Sequence, residues 1–290
     1  MLKCKKANCL IVSVITLLLT AVLLTACGSS STTTTTPAAK APANRLEAIL
    51  AAGELVVATS PDFAPMEFID IRKSGQDQYV GLDPWFAKYI ADELGVTLRI
   101  EAMDFSALQA GVSMGQVDMA LSGFAWTESR AESMELSDFY NNTRDLGQGI
   151  LVLKAEADNY QTAEDFAGKV VAVQNASLQY NLLVSQVPDA IPEIVGNIND
   201  GVMMLITGKV DAVGVSGSNG EMIGLNYSEV TMSGFYYEYD SEGNVIGMPK
   251  GEVELCNRVN EIIAKAHEAD LFNKWMDEAE ALAKEIGWEN

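Results

Sequence analysis

The fold is decided first by the stretch at residues 53–65, which reads GELVVATSPDFAP. Its first half, Leu55 to Thr59, is a short apolar run rich in β-branched residues, which is typical of a buried strand. Polar and aromatic residues follow directly, among them Asp62 and Phe63. In open parallel sheets ligands bind at the carboxyl ends of the strands, so the second half is a candidate binding segment.

Strands and helices alternate on the C-terminal side of this stretch. A helix is predicted over 81–95, because Asp83 is placed to cap it, Pro84 suits its first turn and Gly95 suits its exit. The alternation with short links predicts an α/β protein with parallel sheets. Further strands are predicted at 96–100, 117–121, 169–173 and 210–215, and the segments after them are also candidate binding segments.

The N-terminus carries a separate signal. Three lysines fall within the first six residues, and an uncharged run from 10 to 26 ends at Cys27. This pattern resembles a bacterial lipoprotein signal over residues 1–26, which implies removal of that segment and lipidation of Cys27. An ordinary membrane anchor helix with an incidental cysteine is the alternative. Residues 27–44 are rich in Ser, Thr, Ala and Pro and are predicted to form a flexible tether.

Charge and cysteine usage exclude several classes of protein. The chain has 19 basic and 40 acidic residues, a net charge of −21, which repels nucleic acid and anionic lipid headgroups. Beyond the signal and Cys27 the one cysteine is Cys256, so a disulfide or a cysteine metal cluster within the folded part is excluded. His267, the single histidine, is predicted to be solvated. We therefore expect no enzyme active site, no metal and no cofactor.

Eight segments together resemble the bacterial extracellular solute-binding proteins of family 3, the receptors of polar amino-acid ABC importers. The segments, in chain order, lie at 53–65, 79–83, 103–106, 115–123, 127–130, 136–140, 168–174 and 208–213. The resemblance implies a two-lobed, type II periplasmic-binding-protein-like α/β fold with a mixed or parallel sheet in each lobe and the ligand in the cleft. Lobe 1 would comprise 45–149 and 240–290, and lobe 2 would comprise 150–239.

The resemblance also implies binding residues. Arg130 matches the arginine that clamps the carboxylate of the ligand, a task that suits a planar guanidinium because it can hold both oxygens. The alternative is a surface arginine paired with Glu132 or Glu135. Further positions match a turn whose backbone N–H groups help to bind that carboxylate, and a helix start across the cleft: Ser122, Gly123 and Ala125 in the turn, and Ser177 in the helix start.

Phe63 and Phe105 match aromatic wall positions that would cover an aliphatic or cationic part of the ligand, although plain core packing is the alternative. Trp126 replaces a smaller apolar residue and is expected either in the core or narrowing the pocket. The chain departs from the family pattern where many members place acids, because Ser60 and Ser216 stand at those positions.

An unpaired buried ammonium would be costly, so either the ligand has no ordinary α-ammonium group, or its nitrogen end is held by aromatic faces or by an acid elsewhere in the cleft. The candidates for such a displaced acid are Asp62 and Glu221.

The expected protein is a monomeric receptor that is lipid-anchored on the outer face of the cytoplasmic membrane. It would deliver a small carboxylate-bearing solute, a polar amino acid or a derivative of one, to an ABC permease. The alternatives are a cyclohexadienyl dehydratase-like enzyme on the same fold and a soluble sensor of amino-acid-like ligands.

Overall fold

The computed structural model describes residues 41–141, 147–240 and 242–287. The predicted signal sequence, the lipidation site Cys27 and most of the predicted tether lie outside these residues. In the described part of the chain, no helix is long and apolar enough to cross a membrane.

The α-helices of the described residues alternate with strands along most of the chain. They are α1 (Arg45–Ala52), α2 (Leu82–Leu94), α3 (Phe105–Ser113), α4 (Glu128–Ser133), α5 (Leu178–Gln186), α6 (Ile198–Ile206), α7 (Gly217–Asn226), α8 (Val253–Glu268) and α9 (Leu271–Ile286). Short 3₁₀ helices lie at Gly75–Gln78, Lys154–Asn159 and Ala163–Phe166. The helix predicted over 81–95 therefore forms as α2, with each end one residue inside the expected bounds.

The strands are short. They are β1 (Glu54–Thr59), β2 (Phe68–Ile69), β3 (Tyr79–Val80), β4 (Thr97–Ala102), β5 (Met119–Ala120), β6 (Met134–Leu136), β7 (Gln148–Leu153), β8 (Val170–Gln174), β9 (Ile191–Val195), β10 (Ala212–Ser216), β11 (Val230–Tyr236) and β12 (Gly247–Pro249).

Two five-stranded sheets organise the fold. The first has the order β4-β1-β5-β12-β6 and the second the order β11-β7-β10-β8-β9. In the first, β1 pairs in parallel with β4 and β5, and β12 is antiparallel to both of its neighbours. In the second, β8 is parallel to β9 and β10, and β7 is antiparallel to β10 and β11. The sheets are therefore mixed.

The chain leaves the first sheet after β6, builds the whole second sheet, and returns to the first with β12. The predicted lobe boundary between residues 149 and 150 falls inside β7, all of whose residues belong to the second sheet. The predicted return between 239 and 240 falls in the segment that links β11 to β12. The lobe boundaries themselves stay predictions.

Helix α2 shows how the sequence secures the first sheet. Phe86 and Ile90 recur at helical spacing and are completely buried in a core shared with α8 and α9. Gly95 ends the helix in the left-handed conformation with φ of 71°, as its position predicts. The prediction that Asp83 caps α2 is wrong, because Gly81 holds the cap position and Asp83 lies inside the first turn. Its carboxylate is buried and serves a different purpose.

Candidate ligand-binding cleft

A cleft lies between segments that follow the strands of the two sheets. Its empty volume, counting the space open to solvent, is about 860 Å³. The segments after β1, β4, β5 and β8 and the end of β10 all contribute to its wall, as the strand-end rule predicts. All nine predicted binding positions line it: Asp62, Phe63, Phe105, Ser122, Gly123, Ala125, Arg130, Ser177 and Ser216. Direct contact of these residues with a ligand stays a prediction.

Arg130 is placed by the short helix α4. Thr127 caps that helix by accepting a hydrogen bond from the Arg130 backbone N–H at 3.2 Å. The guanidinium donates to the carbonyl oxygens of Ala125 at 2.7 Å and Ala176 at 3.1 Å, and to Oε1 of Gln109 at 3.2 Å. Among the described residues these contacts occupy three of its five N–H donors, which leaves one on each terminal nitrogen. That pair matches the two oxygens of a carboxylate.

The charge of Arg130 is buried and unneutralised among the described residues. Only 6% of its surface is exposed, and its guanidinium lies 4.9 Å from the ring centre of Phe124 and 5.3 Å from that of Phe105. Burial lowers the pKa of Arg130 to about 10, so the side chain stays charged at neutral pH. The alternative pairing with Glu132 or Glu135 is absent from these contacts, and a buried cation without an anion favours a negatively charged ligand.

Asp62 joins the two walls of the cleft. Its Oδ2 accepts hydrogen bonds from the side-chain amide of Gln174 and the backbone N–H of Ile198, both at 2.9 Å and both from the second-sheet side. Its Oδ1 accepts from the Ser60 hydroxyl at 2.9 Å. Burial raises the pKa of Asp62 to about 6, although these hydrogen bonds act in the opposite direction. The Asp62 carboxylate therefore already accepts three hydrogen bonds.

A buried pair of carboxyl groups lies in the same wall, and sequence reasoning missed it. Glu67 lines the cleft, accepts from the Ser122 hydroxyl at 2.8 Å, and shares a hydrogen bond with Asp83. Asp83 also accepts from the backbone N–H of Gly123 and the hydroxyl of Tyr140, both at 2.8 Å. Burial raises the pKa of Asp83 to about 6, and burial together with the charge of Asp83 raises the pKa of Glu67 well above its usual range.

These contacts change the predicted use of the turn at residues 122–125. The backbone N–H of Gly123 is taken by Asp83, and the hydroxyl of Ser122 is taken by Glu67, so neither is free to bind a carboxylate. Gly123 has φ of 55° and a Cβ there would lie 3.1 Å from the Phe63 ring, so the close approach requires glycine. Ala125 contributes its carbonyl oxygen to Arg130. The turn therefore positions the charged groups of the wall.

The opposite wall of the cleft contains the N-terminal ends of two helices. Ser177 and Ser216 cap α5 and α7, each accepting a hydrogen bond from a backbone N–H of its own helix. Buried Gln148 and Gln179 are joined at 2.7 Å and also line the cleft. The positive ends of both helices thus lie at the cleft, where they favour negative charge.

The aromatic predictions have mixed outcomes. Phe63 and Phe105 line the cleft, and Phe105 also packs edge-to-face on Phe124, so for this residue the core role and the wall role coincide. Trp126 is 47% exposed and lies outside the set of cleft-lining residues, so neither predicted role for it is correct. Glu221 is exposed on α7 and also lies outside that set, which removes it as the displaced acid.

Comparison with known proteins agrees with this architecture. In sequence, an arginine-binding extracellular protein, ArtP of Bacillus subtilis, is 32% identical over 126 residues, which cover 43% of this chain and 46% of the relative. This chain thus matches about half the length of that relative. A probable histidine-binding protein of Campylobacter jejuni is 27% identical over 226 residues, covering 78% of this chain and 79% of the relative. These two relatives are binding proteins and not enzymes.

The fold matches solved structures of the same kind. An amino acid ABC transporter substrate-binding protein, AbpA of Streptococcus pneumoniae, solved with L-arginine bound, superposes with a TM-score of 0.76 at 29% identity. The match covers 84% of this chain and all of that protein. A family model for bacterial extracellular solute-binding proteins, family 3, matches residues 55–278. The chain therefore belongs to family 3 of the bacterial extracellular solute-binding proteins.

Proposed function

We propose that this protein is the substrate-binding lipoprotein of an ABC importer and that it binds a small carboxylate-bearing solute, a polar amino acid or a derivative of one. The observation that carries the proposal is Arg130, a buried cation at the cleft with one N–H donor left on each terminal nitrogen. A bidentate carboxylate fits that arrangement and neutralises the charge. The relatives that bind arginine and histidine support a ligand of amino-acid size.

The proposed mechanism is closure of the cleft around the ligand. Contacts across the cleft, from Asp62 to Gln174 and Ile198 and from Arg130 to Ala176, hold the two walls together. A ligand that touches both walls adds to these contacts, favours the closed form and so raises its population. The closed form is the one that docks on the permease and delivers the solute.

A thermal-shift screen tests the ligand class. The panel contains the proteinogenic amino acids, betaines, cyclic imino acids and small dicarboxylates. A ligand at 100 times its dissociation constant stabilises the protein by about 2.7 kcal/mol, which gives a clear shift. The shift should vanish in Arg130→Ala and persist in Arg99→Ala, which removes a partly exposed arginine of β4 outside the cleft. Shifts that persist equally in both variants would contradict the proposal.

The lipid anchor is tested separately because it concerns Cys27, outside the described residues. Cells that express the protein are labelled with a radioactive fatty acid and fractionated. Label on the unmodified protein and its absence from Cys27→Ala would support the anchor, and an unlabelled membrane-free protein would contradict it. The solute-binding part of the proposal does not depend on this outcome.

A further inference from the structure

The carboxyl pair of Glu67 and Asp83 is more than a structural contact in the wall of the cleft. Glu67 is 1% exposed and Asp83 is completely buried, so two adjacent negative charges there would be very unfavourable. One proton must therefore be held between them. The surrounding donors determine which carboxyl group carries it.

Asp83 is the ionised partner. It accepts from the Gly123 N–H and the Tyr140 hydroxyl, and both contacts favour its charged form. Glu67 accepts only from Ser122, through Oε1, and no donor among the described residues faces its Oε2. A proton on Glu67 therefore donates to Asp83, and the pair carries one negative charge between two carboxyl groups.

The position of this pair gives it a function. Glu67 lines the same cleft as Arg130, and Asp62 adds a further acidic group near it. Among the described residues Arg130 is the one cationic group that lines the cleft, and the acidic wall has taken up a proton in place of a second cation. A ligand that brings both a carboxylate and a cationic nitrogen matches this distribution of charge.

We infer that the Glu67–Asp83 pair is the subsite for the cationic nitrogen of the ligand, an ammonium or a guanidinium group, and that the nitrogen displaces the shared proton when it binds. The inference rests on the proposed function and answers a question that Ser60 and Ser216 raise, namely which acid pairs with the ligand. Binding then transfers the proton from Glu67 to the solvent, so that Glu67 faces the cation as a carboxylate. The adjacent charge of Asp83, which lies outside the set of cleft-lining residues, strengthens the attraction. The ligand and the proton compete for one subsite.

This competition fixes the sign of a pH effect. Raising the pH removes the competing proton, so the affinity rises by up to tenfold per pH unit while one proton is released on binding. Among the described residues, the other titratable groups that face the pair are Tyr140, whose raised pKa keeps it protonated, and Asp62. Across the cleft, Arg130 stays charged throughout the neutral range. Glu67 is thus the group whose proton the ligand displaces.

Isothermal titration calorimetry of the unmodified protein at pH 7 tests the inference, with L-arginine and its neutral isostere L-citrulline as probes. Each titration is run in phosphate and in Tris, whose ionisation heats differ, so that the number of protons released can be calculated. We expect release of up to one proton. Release with both probes places the α-ammonium group at the pair, and release with L-arginine alone places the guanidinium group there. Binding without proton release would overturn the inference but leave the proposed function intact, whereas an absence of binding by any amino acid would overturn both.

A matched pair of variants provides the second measurement. Glu67→Gln preserves the shape of the side chain and can still donate to Asp83, but it cannot ionise, so proton release should disappear and affinity for L-arginine should fall about tenfold to a hundredfold. Glu221→Gln makes the same change at an exposed acid outside the cleft and should match the unmodified protein. Unchanged affinity in Glu67→Gln, with its folded circular dichroism spectrum retained, would overturn the inference.

Discussion

Asp62 offers a direct test of how burial acts on a charge in this cleft. Asp62→Asn keeps the shape of the side chain: its amide oxygen can accept from Gln174 and Ile198, and its amide nitrogen can face the hydroxyl of Ser60, which can also accept. The substitution therefore removes the charge and preserves the contacts. Its effect on stability should depend on pH in a way that the raised pKa of Asp62 determines.

The magnitude follows from the two pKa values. In the folded protein the pKa of Asp62 is about 6, against 3.8 as its ordinary value. Because the folded state holds the proton more tightly, the charged form lowers the free energy of unfolding above pH 6, and this penalty is relieved as the pH falls from 6 towards 4. A difference of about two pKa units corresponds to about 3 kcal/mol. The Asp62→Asn variant carries no such penalty at any pH, because its amide does not ionise.

Urea denaturation of ligand-free protein between pH 4 and pH 8 measures the effect. The free energy of unfolding of Asp62→Asn minus that of the unmodified protein should decrease by up to about 3 kcal/mol from pH 8 to pH 4. Asp83 and Glu67 titrate in both proteins, so their contributions cancel in this difference except for the part by which the charge of Asp62 raises the pKa of Glu67. A difference for Asp62→Asn that is constant or grows as the pH falls would refute the reasoning.

Three further predictions concern the scaffold and its closure. Gly81→Ala should lower the free energy of unfolding by more than about 3 kcal/mol in urea, because φ is 114° and the new Cβ would overlap the carbonyl oxygen of Met66. Gly53→Ala, at a φ of 70° in open space, should cost about 1 kcal/mol, and equal losses in the two variants would contradict this. Ser177→Ala removes the cap of α5 and should cost about 1 kcal/mol in the same assay, and no loss would contradict its capping role. Small-angle X-ray scattering should show a smaller radius of gyration at ligand saturation, and an unchanged radius would contradict closure.

Much of the fold could be predicted because its signals are local. The apolar run in β1, the helical spacing in α2 and the glycine at its end each lie within a few neighbouring residues. The strand-end rule then placed the binding segments at the cleft without any knowledge of the contacts within it. The position of Arg130 at the binding site was predicted from a sequence motif. The structure shows in addition that its side chain is buried and that two of its N–H donors remain.

The polar wall could not be predicted because its contacts are long-range. Glu67 contacts Ser122, 55 residues later in the chain, and a lone glutamate in a sequence is normally a surface residue. Asp83 carries the pattern of a helix cap, and only the tertiary contacts with Gly123 and Tyr140 show its different role. The predictions for Trp126 and Glu221 were wrong for a different reason. In each case the residue type suggested a buried or cleft-lining role, and the exposure of the side chain excludes that role.

The division of the cleft between two separately built sheets has a consequence for how such receptors diversify. Glu67 and Asp83 are held by Ser122, Gly123 and Tyr140 on the side of the first sheet, whereas Ser177 and Ser216 depend on helix starts of the second. Substitutions in the second sheet's loops can therefore alter which side chain of a solute is accepted while this carboxyl pair keeps its geometry. A lineage of such proteins can thus change the solutes that it accepts through one half of the molecule while the other half keeps its charged groups.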